Sequence, residues 1–376
     1  MGRLLVIFRW FETKKGTFCF SQVGDLGVSQ RRGEKQNVPF LLCRLGLIMA
    51  FVAGMVAPVT AQESSDERPV EQGIASPNLA SPTLGGKQLW SDELVFHDWR
   101  IQRNAWTGHF RLLDDKNVRR AWGTFAHCRG RLDEYKRERQ LPPLQPRVIL
   151  VVHGLVRSRS SMSGLCEYLR EHTEKTTVLN VSYASSRESL REHAASLAKV
   201  IGHLEGIQQI DLVAHSLGNL VIRHYLADRQ QIPAGSQPQP RVHRIVMLAP
   251  PNNGAALAEQ FRNNTLFQTI WGTSGLELAK KWTSVEKHLA IPDCQFGIIA
   301  GGTGQDGGRN PLLQGDDDMI VSVAETRLRG AYDFVVVPAL HSMIMDHSKA
   351  REYTLRFLEY GYFLEESKRC PIPAER

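Results

Sequence analysis

The stretch Asp211–Gly218 reads DLVAHSLG. Apolar residues lead into Ser216, which predicts a buried strand, and residues Leu217–Asp228 predict a helix that begins immediately after it. So sharp a turn lifts the serine hydroxyl above a sheet and leaves room only for small neighbours, here Ala214 and Gly218. The pattern predicts a nucleophilic serine; the alternative is a serine that caps an ordinary helix.

Strand and helix patterns alternate on both sides of this stretch. The run Val148–Val152 (VILVV) is apolar throughout, as expected of a strand that is buried on both faces. This alternation predicts the α/β class: a doubly wound, mostly parallel sheet with helices on both faces. Strands are predicted at Val148–Val152, Val178–Tyr183, Ile210–Val213, Arg244–Leu248, Phe296–Ala300 and Phe334–Val337, and helices at Met162–Thr173, Ser189–Leu204, Leu217–Asp228 and Glu352–Tyr362.

Composition divides the 376 residues into four regions: a leader over 1–61, a flexible linker over 62–87, a segment over 88–146, and a catalytic domain over 147–366. Within residues 88–146, short strands are predicted at Leu94–Phe96 and Phe110–Leu113, with Gly108 between them, and a helix at Arg119–Arg137. The role of this segment stays open.

Three further segments carry candidate chemistry. The buried strand Val148–Val152 ends in His153–Leu155, upstream of the serine turn. The loop Gly315–Val321 (GDDDMIV) supplies acidic residues after a later strand, and His341 follows the last strand. The residue types of a Ser-His-Asp hydrolase are therefore all present.

Together these motifs resemble the α/β-hydrolase superfamily, and bacterial lipases and esterases in particular, over about Arg147 to Phe363. The family order of serine, acid and histidine falls at Ser216, Asp318 and His341. The resemblance implies that Ser216 is the nucleophile, His341 the general base and Asp318 the residue that orients it. It also implies that the Leu155 N–H joins the Leu217 N–H, at a helix N-terminus, as an oxyanion donor.

The acidic loop leaves alternatives open. Asp318 is chosen because the apolar residues Ile320 and Val321 start two positions later, as in the lipase pattern. An acidic surface loop or a calcium site is the alternative reading, and we apply it to Asp316 and Asp317. His153 is interpreted as a structural hydrogen-bonding residue and is given no catalytic role.

Residues 255–290 lie between two predicted core strands and are rich in large apolar side chains. In the α/β-hydrolase fold such an insertion commonly forms a helical cap over the active site, and its composition suits an acyl chain. Extra helices packed on the core are the alternative. The apolar residues concerned are Phe261, Leu266, Phe267, Ile270, Trp271, Leu276, Leu278 and Trp282.

Charge and cysteine content exclude several other classes of protein. The net charge is +7, but residues 1–61 hold eight of the 46 basic residues and three of the 39 acidic ones, which leaves 38 against 36. A nearly neutral body gives little attraction to polyanions, so no nucleic-acid partner is expected. No cysteine pair has the spacing of a metal site, and the expected chemistry needs neither a metal nor another cofactor.

The sequence therefore predicts a serine carboxylic-ester hydrolase that forms an acyl-enzyme from small-molecule or lipid esters with an apolar acyl part. One alternative is a hydrolase or acyltransferase of the same fold that acts on thioesters or amides. A second is a non-catalytic binding protein that has kept the fold, although every catalytic position holds a functional residue type.

The leader contains one apolar segment. Residues Leu45–Ala57 are uncharged and follow Arg44, and the small residues Val59–Ala61 resemble a signal-peptide cleavage site. Because 44 residues precede this segment, either translation starts downstream of Met1 or residues 45–61 form an uncleaved membrane anchor. Export to the periplasm or the medium, or membrane anchoring, is expected; the alternative is a buried helix of a cytoplasmic protein.

N-terminal sequencing of protein from the native host tests this expectation. We expect a start near Gln62, because cleavage after Ala61 would remove the apolar segment. Intact Met1 on protein recovered from the membrane fraction would indicate an anchor. Intact Met1 on cytosolic protein would contradict export.

Overall fold

A computed structural model of the chain describes residues 81–82, 88–233, 242–254, 256, 272–277 and 282–374. All of these belong to one compact unit, Ala75–Arg376. The leader over 1–61, most of the linker over 62–87 and much of the apolar segment over 255–290 lie outside the described residues. Within the described part, no helix has the length and apolar character needed to span a membrane.

The centre of the unit is a six-stranded parallel sheet. Its strands are apolar because both faces are covered by helices. The sheet consists of β6 (Arg147–Val152), β7 (Thr176–Val181), β8 (Gln209–His215), β9 (Val242–Leu248), β10 (Gln295–Gly301) and β11 (Asp333–Val337), in the spatial order β11-β10-β9-β8-β6-β7. The predicted parallel sheet is confirmed, with most strands one to two residues longer than the sequence indicated.

Two helical layers bury this sheet. Helices α3 (Leu190–Gly202) and α4 (Leu217–Gln230) pack on one face, and α2 (Ser163–His172) and α7 (Ser348–Tyr360) pack on the other. Two short helices, α5 (Trp282–Glu286) and α6 (Val323–Thr326), lie between α4 and α7 in the chain. A capping box at Ser189 begins α3, and Gly361 in a left-handed conformation ends α7. This two-sided arrangement confirms the doubly wound architecture predicted from the sequence.

The strand order reverses direction at one place. From β6 the chain crosses outward to β7, and it then returns to the other side of β6 to form β8. In open α/β sheets, ligands bind outside the carboxyl ends of the strands at such a reversal. The carboxyl ends of β6 and β8 lead into Gly154 and Ser216, which places both candidate segments at this point.

A second, antiparallel sheet precedes the parallel one. It has the order β1-β5-β4-β3-β2 and covers its apolar face with helix α1 (Phe125–Glu138). Its strands are β1 (Ser81–Pro82), β2 (Trp90–Phe96), β3 (Trp99–Asn104), β4 (Phe110–Leu113) and β5 (Val118–Gly123).

The structure corrects three expectations about this region. The helix predicted over Arg119–Arg137 is wrong at its start, because Val118–Gly123 is a strand and the helix begins at Phe125 after the Thr124 cap. Strand Trp99–Asn104 is absent from the predicted elements, because Trp99 and Ile101 are its only apolar residues. Ser81–Pro82, within the predicted linker, pair with Arg119 and Val118.

The two sheets are joined through Asp92. Its backbone N–H donates to the Ser182 carbonyl (2.8 Å), and the Ser182 N–H donates to its carboxylate (2.7 Å). The Asp92 side chain also accepts from Gln102 (2.7 Å), so the buried carboxylate has one partner in the antiparallel sheet and one just after strand β7. The antiparallel sheet is therefore fixed to the loop after β7, next to the reversal point.

Gly297 tests the packing between β10 and α7. A methyl group built there would lie 2.5 Å from Phe357 Cε2 and 2.6 Å from Phe363 Cζ, and both rings are buried. We expect Gly297→Ala to lower the free energy of unfolding by about 1–3 kcal/mol, as overpacking does. Gly130→Ala is the control, because no atom lies within 4 Å of the added methyl inside α1 and alanine favours a helix. Urea unfolding of both variants measures the effect; equal stabilities would contradict this packing.

Candidate active site

The backbone at Ser216 adopts a conformation that is rare for a non-glycine residue. Its φ is 51° and its ψ is −123°, between the end of β8 and the first turn of α4. The Ser216 N–H donates to the Leu248 carbonyl (3.0 Å), and the Asn219 side chain donates to the Ser216 carbonyl (3.0 Å). These bonds hold a strained turn of the kind that exposes a nucleophile.

Close backbone contact explains the glycines that flank this turn. A Cβ on Gly218 would lie 2.7 Å from the His153 carbonyl oxygen and 3.0 Å from that of Val152. A Cβ on Gly154 would lie 3.0 Å from Ser216 Cβ. The end of β6 and the start of α4 can approach each other only because both positions lack a side chain.

Three segments that are distant in sequence meet in one hydrogen-bonded chain. The Ser216 hydroxyl lies 2.9 Å from His341 Nε2, and His341 Nδ1 lies 2.8 Å from Asp318 Oδ2. With the carboxylate as acceptor, Nδ1 carries the proton and Nε2 is left to accept from the serine. The structure thus brings together the three residues that the sequence singled out.

Asp318 is fully buried and is held by its own loop. Its other oxygen, Oδ1, accepts from the N–H groups of Ile320 (3.0 Å) and Val321 (2.8 Å). Its backbone carbonyl accepts from the His341 N–H (2.9 Å). Asp318 and His341 are therefore joined by one side-chain hydrogen bond and one backbone hydrogen bond, which fix the carboxylate relative to the imidazole.

The two preceding aspartates differ from the acidic surface loop that the sequence suggested. Asp317 is fully buried, and its carboxylate accepts from the N–H groups of Asn310 (3.1 Å) and Met319 (2.7 Å). Half-buried Asp316 accepts from the N–H groups of Thr303 (2.6 Å) and Gly304 (2.8 Å). Both shape the loop, so the surface-loop reading is wrong for Asp317.

His153 orients the loop after β6. Its Nδ1–H donates to the Gly154 carbonyl (2.8 Å), and its Nε2 accepts from the Tyr183 N–H (3.3 Å). Burial lowers the pKa of His153 to about 4, so the ring is neutral at pH 7 and one tautomer satisfies both bonds. Because a trans peptide points its C=O and N–H in opposite directions, fixing the Gly154 carbonyl also fixes the Leu155 N–H.

Sequence reasoning missed two residues that hold the histidine loop. Buried His215 donates from Nε2 to the His341 carbonyl (2.9 Å), and its ring lies 4.8 Å from the His341 ring. Arg157 donates to the Ser342 carbonyl. The position of His215 beside the serine was visible in the sequence, but its target lies 126 residues away.

Among the residues that the structure describes, no group of three or more His, Cys, Asp or Glu side chains is arranged to hold a metal ion. The four described cysteines are free.

The strand order and the strand–serine–helix turn define an α/β-hydrolase fold. Residues 116–290 match the profile of a domain of unknown function (DUF7379). The match covers less than half of the 376 residues; it includes Ser216 and Leu155 and ends before Asp318 and His341. No curated protein sequence matches the chain.

Solved structures similar to this chain include a gene product of Listeria innocua, with 16% identity over 62% of this chain and 99% of that one, and a TM-score of 0.41. Lipase BlEst2 of Bacillus licheniformis in its mature form is 18% identical over 59% of this chain and 94% of that one, with a TM-score of 0.42. Phospholipase PlaB of Legionella pneumophila is 15% identical over 57% of this chain and 59% of that one, with a TM-score of 0.42.

The three adjacent aspartates give a test of which carboxylate serves the histidine. We expect Asp318→Asn to lower kcat on a soluble ester by a factor on the order of 10⁴, because an amide favours the wrong imidazole tautomer. Asp317→Asn removes the negative charge and replaces one of the two carboxylate oxygens that accept from backbone N–H groups, so its main cost should be about 1–3 kcal/mol of stability. Asp316→Asn is the control. If Asp317→Asn loses the most kcat at a temperature where all variants are folded, the assignment is wrong.

Proposed function

We propose that this protein is a serine hydrolase of carboxylic esters. The single observation that carries the proposal is the continuous chain from Ser216 Oγ through His341 to Asp318, with distances of 2.9 and 2.8 Å. It begins on a strained turn at the carboxyl edge of the sheet, where ligands of this architecture bind.

In the first half of the reaction, Ser216 Oγ attacks the ester carbonyl carbon while His341 Nε2 takes the hydroxyl proton. The carbonyl π bond becomes an oxyanion, and Asp318 stabilises the imidazolium through Nδ1–H. When the oxyanion collapses, the carbon–oxygen bond to the alcohol breaks and His341 returns the proton to the leaving alkoxide. In the second half, His341 activates water to cleave the acyl-enzyme.

Two backbone amides are proposed as the oxyanion donors. Leu217 is the first residue of α4, where N–H groups lack intrahelical partners and the helix dipole favours negative charge. Leu155 lies on the neighbouring loop, in the peptide whose carbonyl His153 holds. Both flank Ser216 at the reversal point, and such donors act on charge that develops only in the transition state.

The segment over 255–290 supports an apolar acyl part for the substrate. Its upstream flank is Gly254, six residues after the end of β9. Residues 272–277 are tied to the loop after β7: Thr273 N–H donates to the Ser186 carbonyl (3.1 Å), and Ser274 donates to the Glu188 carbonyl (2.8 Å). Both attachments lie at the carboxyl edge of the sheet. We propose that this apolar insertion forms a cap beside Ser216, and that residues 45–61 direct export or membrane association.

A fluorophosphonate probe and a panel of p-nitrophenyl esters test the proposal. Ser216→Ala should abolish both probe labelling and hydrolysis, because the reacting oxygen is gone, and the fold should persist by circular dichroism. Ser160→Ala is the matched control, since this exposed serine lies in the short 3-10 helix Arg159–Met162 and outside the hydrogen-bonded chain. Labelling that survives in Ser216→Ala would show that another residue is the nucleophile.

A further inference from the structure

Aromatic and basic side chains collect at one end of the antiparallel sheet. The set, called here the tryptophan–arginine face, consists of Trp90, Trp106, His109, Arg111, Arg119 and Trp122. The active-site chemistry uses none of these residues. Trp106 is 69% exposed and Trp122 is 47% exposed. Burying a tryptophan ring is more favourable than leaving it in water, so these two exposed rings favour a partner that would cover them.

The strand order brings these residues together. Trp90 begins β2, Trp106 lies in the turn after β3, and Trp122 stands near the end of β5, so all three belong to the same end of the sheet. His109 links two of them: its ring packs edge-on against Trp90 at 5.1 Å and stacks on Trp122 at 4.2 Å.

Each tryptophan of the face has an arginine above its ring. Arg111 lies 3.9 Å from the ring centre of Trp90, Arg119 lies 5.1 Å from that of Trp122, and Arg187 lies 5.6 Å from that of Trp106. The Arg111 guanidinium hydrogen-bonds the neutral Gln102 amide oxygen (2.8 and 3.0 Å). Arg111 is itself buried, and the nearby Asp92 carboxylate favours its charge, whereas Arg119 and Arg187 bring positive charge to the two exposed rings.

The pKa of His109 reflects both its burial and the positive charge of the neighbouring arginines. Its pKa is lowered by burial, and then by the charges of Arg111 and Arg119. A neutral His109 between two tryptophans extends the aromatic surface, while the arginines around it supply the charge. This end of the sheet is therefore matched to an anionic partner with an apolar interior.

The same end of the sheet borders the candidate active site. Gln88, just before β2, donates to the Arg157 carbonyl (3.0 Å) and accepts from Ser186 (2.7 Å). Arg157 in turn donates to the carbonyl of Ser342, the residue after His341. Ser186 also accepts the bond that anchors residue 273 of the apolar insertion.

From these contacts we infer that the tryptophan–arginine face docks the protein onto a lipid bilayer with anionic headgroups, beside the entrance to the Ser216 site. Tryptophan is favoured at membrane–water interfaces because its ring is apolar and its N–H polar, and arginines are attracted to anionic lipids. The inference rests on the proposed function, since only an enzyme with lipid ester substrates gains from docking here.

Vesicle binding of the full chain tests the surface independently of catalysis. The parent protein is the Ser216→Ala variant, which is expected not to hydrolyse the lipids. It is mixed with vesicles of phosphatidylcholine alone or of equal parts phosphatidylcholine and phosphatidylglycerol. The acyl chains are brominated, so that they quench the fluorescence of any tryptophan that enters the bilayer. We expect quenching in the parent and a clear loss of quenching in Trp106→Ala/Trp122→Ala. Arg119→Gln should weaken partitioning to the anionic vesicles about fivefold and leave binding to phosphatidylcholine unchanged.

Tyr360→Ala is the matched control, because its ring is 61% exposed but lies outside the tryptophan–arginine face. Tyr360 is the last residue of α7, and the residues just before it contact Arg147 at the amino end of β6, opposite to the carboxyl edge that holds Ser216. Residues 45–61 are common to all variants, so differences between variants report the face alone. Equal quenching in all variants would overturn the inference, as would retention of the parent on cellulose or chitin in place of vesicles.

The two proposals fail in different ways. With Ser216 restored, a Trp106→Ala/Trp122→Ala variant should keep its full rate on a soluble ester and lose rate only on ester embedded in vesicles. Absence of soluble-ester hydrolysis in the wild-type chain would reject the proposed function. Normal soluble-ester hydrolysis with no effect of the tryptophan variants on vesicles would reject the docking face alone.

Discussion

The close approach of two backbones, at the ends of β6 and β8, is the constraint on which the rest of the structure depends. Strand β6 lies between β7 and β8, so the segments that leave β6 and β8 emerge side by side. Gly154 and Gly218 let these segments touch, at distances that a Cβ would not allow. The strain of the turn at Ser216 persists because the surrounding sheet and helix over-determine it.

The histidine and the acid are positioned by a different principle. Neither belongs to a regular strand or α-helix: Asp318 lies on a loop, and His341 is the first residue of a short 3-10 helix. Asp318 is held by two N–H groups of its own loop, and the His341 carbonyl is held by His215. A buried carboxylate is costly unless it is hydrogen-bonded, so the same bonds that make Asp318 tolerable also aim it at the imidazole.

The antiparallel sheet has two faces with different tasks. One face packs Ile101, Leu112 and Ala121 against helix α1 and forms a separate small core. Across the other face runs a row of paired residues, Asp92, Gln102, Arg111 and Trp122, one from each of four neighbouring strands. This row begins at the buried carboxylate of Asp92, which is bonded to the loop after β7, and ends at the exposed ring of Trp122. It therefore connects the part of the protein that holds Ser216 to the surface proposed as its docking face.

The sequence by itself determined the parallel sheet, its helices and the Ser216 turn, because continuous apolar strands and a strand–serine–helix junction are local patterns with a direct physical meaning. It also selected Asp318 and His341, by their order along the chain and their resemblance to a family. It did not determine strand Trp99–Asn104, because the segment has only two apolar residues and its Arg100 is buried although arginine usually faces solvent. It also placed the start of α1 at Arg119, where the structure has a strand, instead of at Phe125. Only the tertiary structure decided that Asp317 is internal, that His215 supports His341, and that three tryptophans share one end of a sheet, because these facts depend on which distant segments become neighbours.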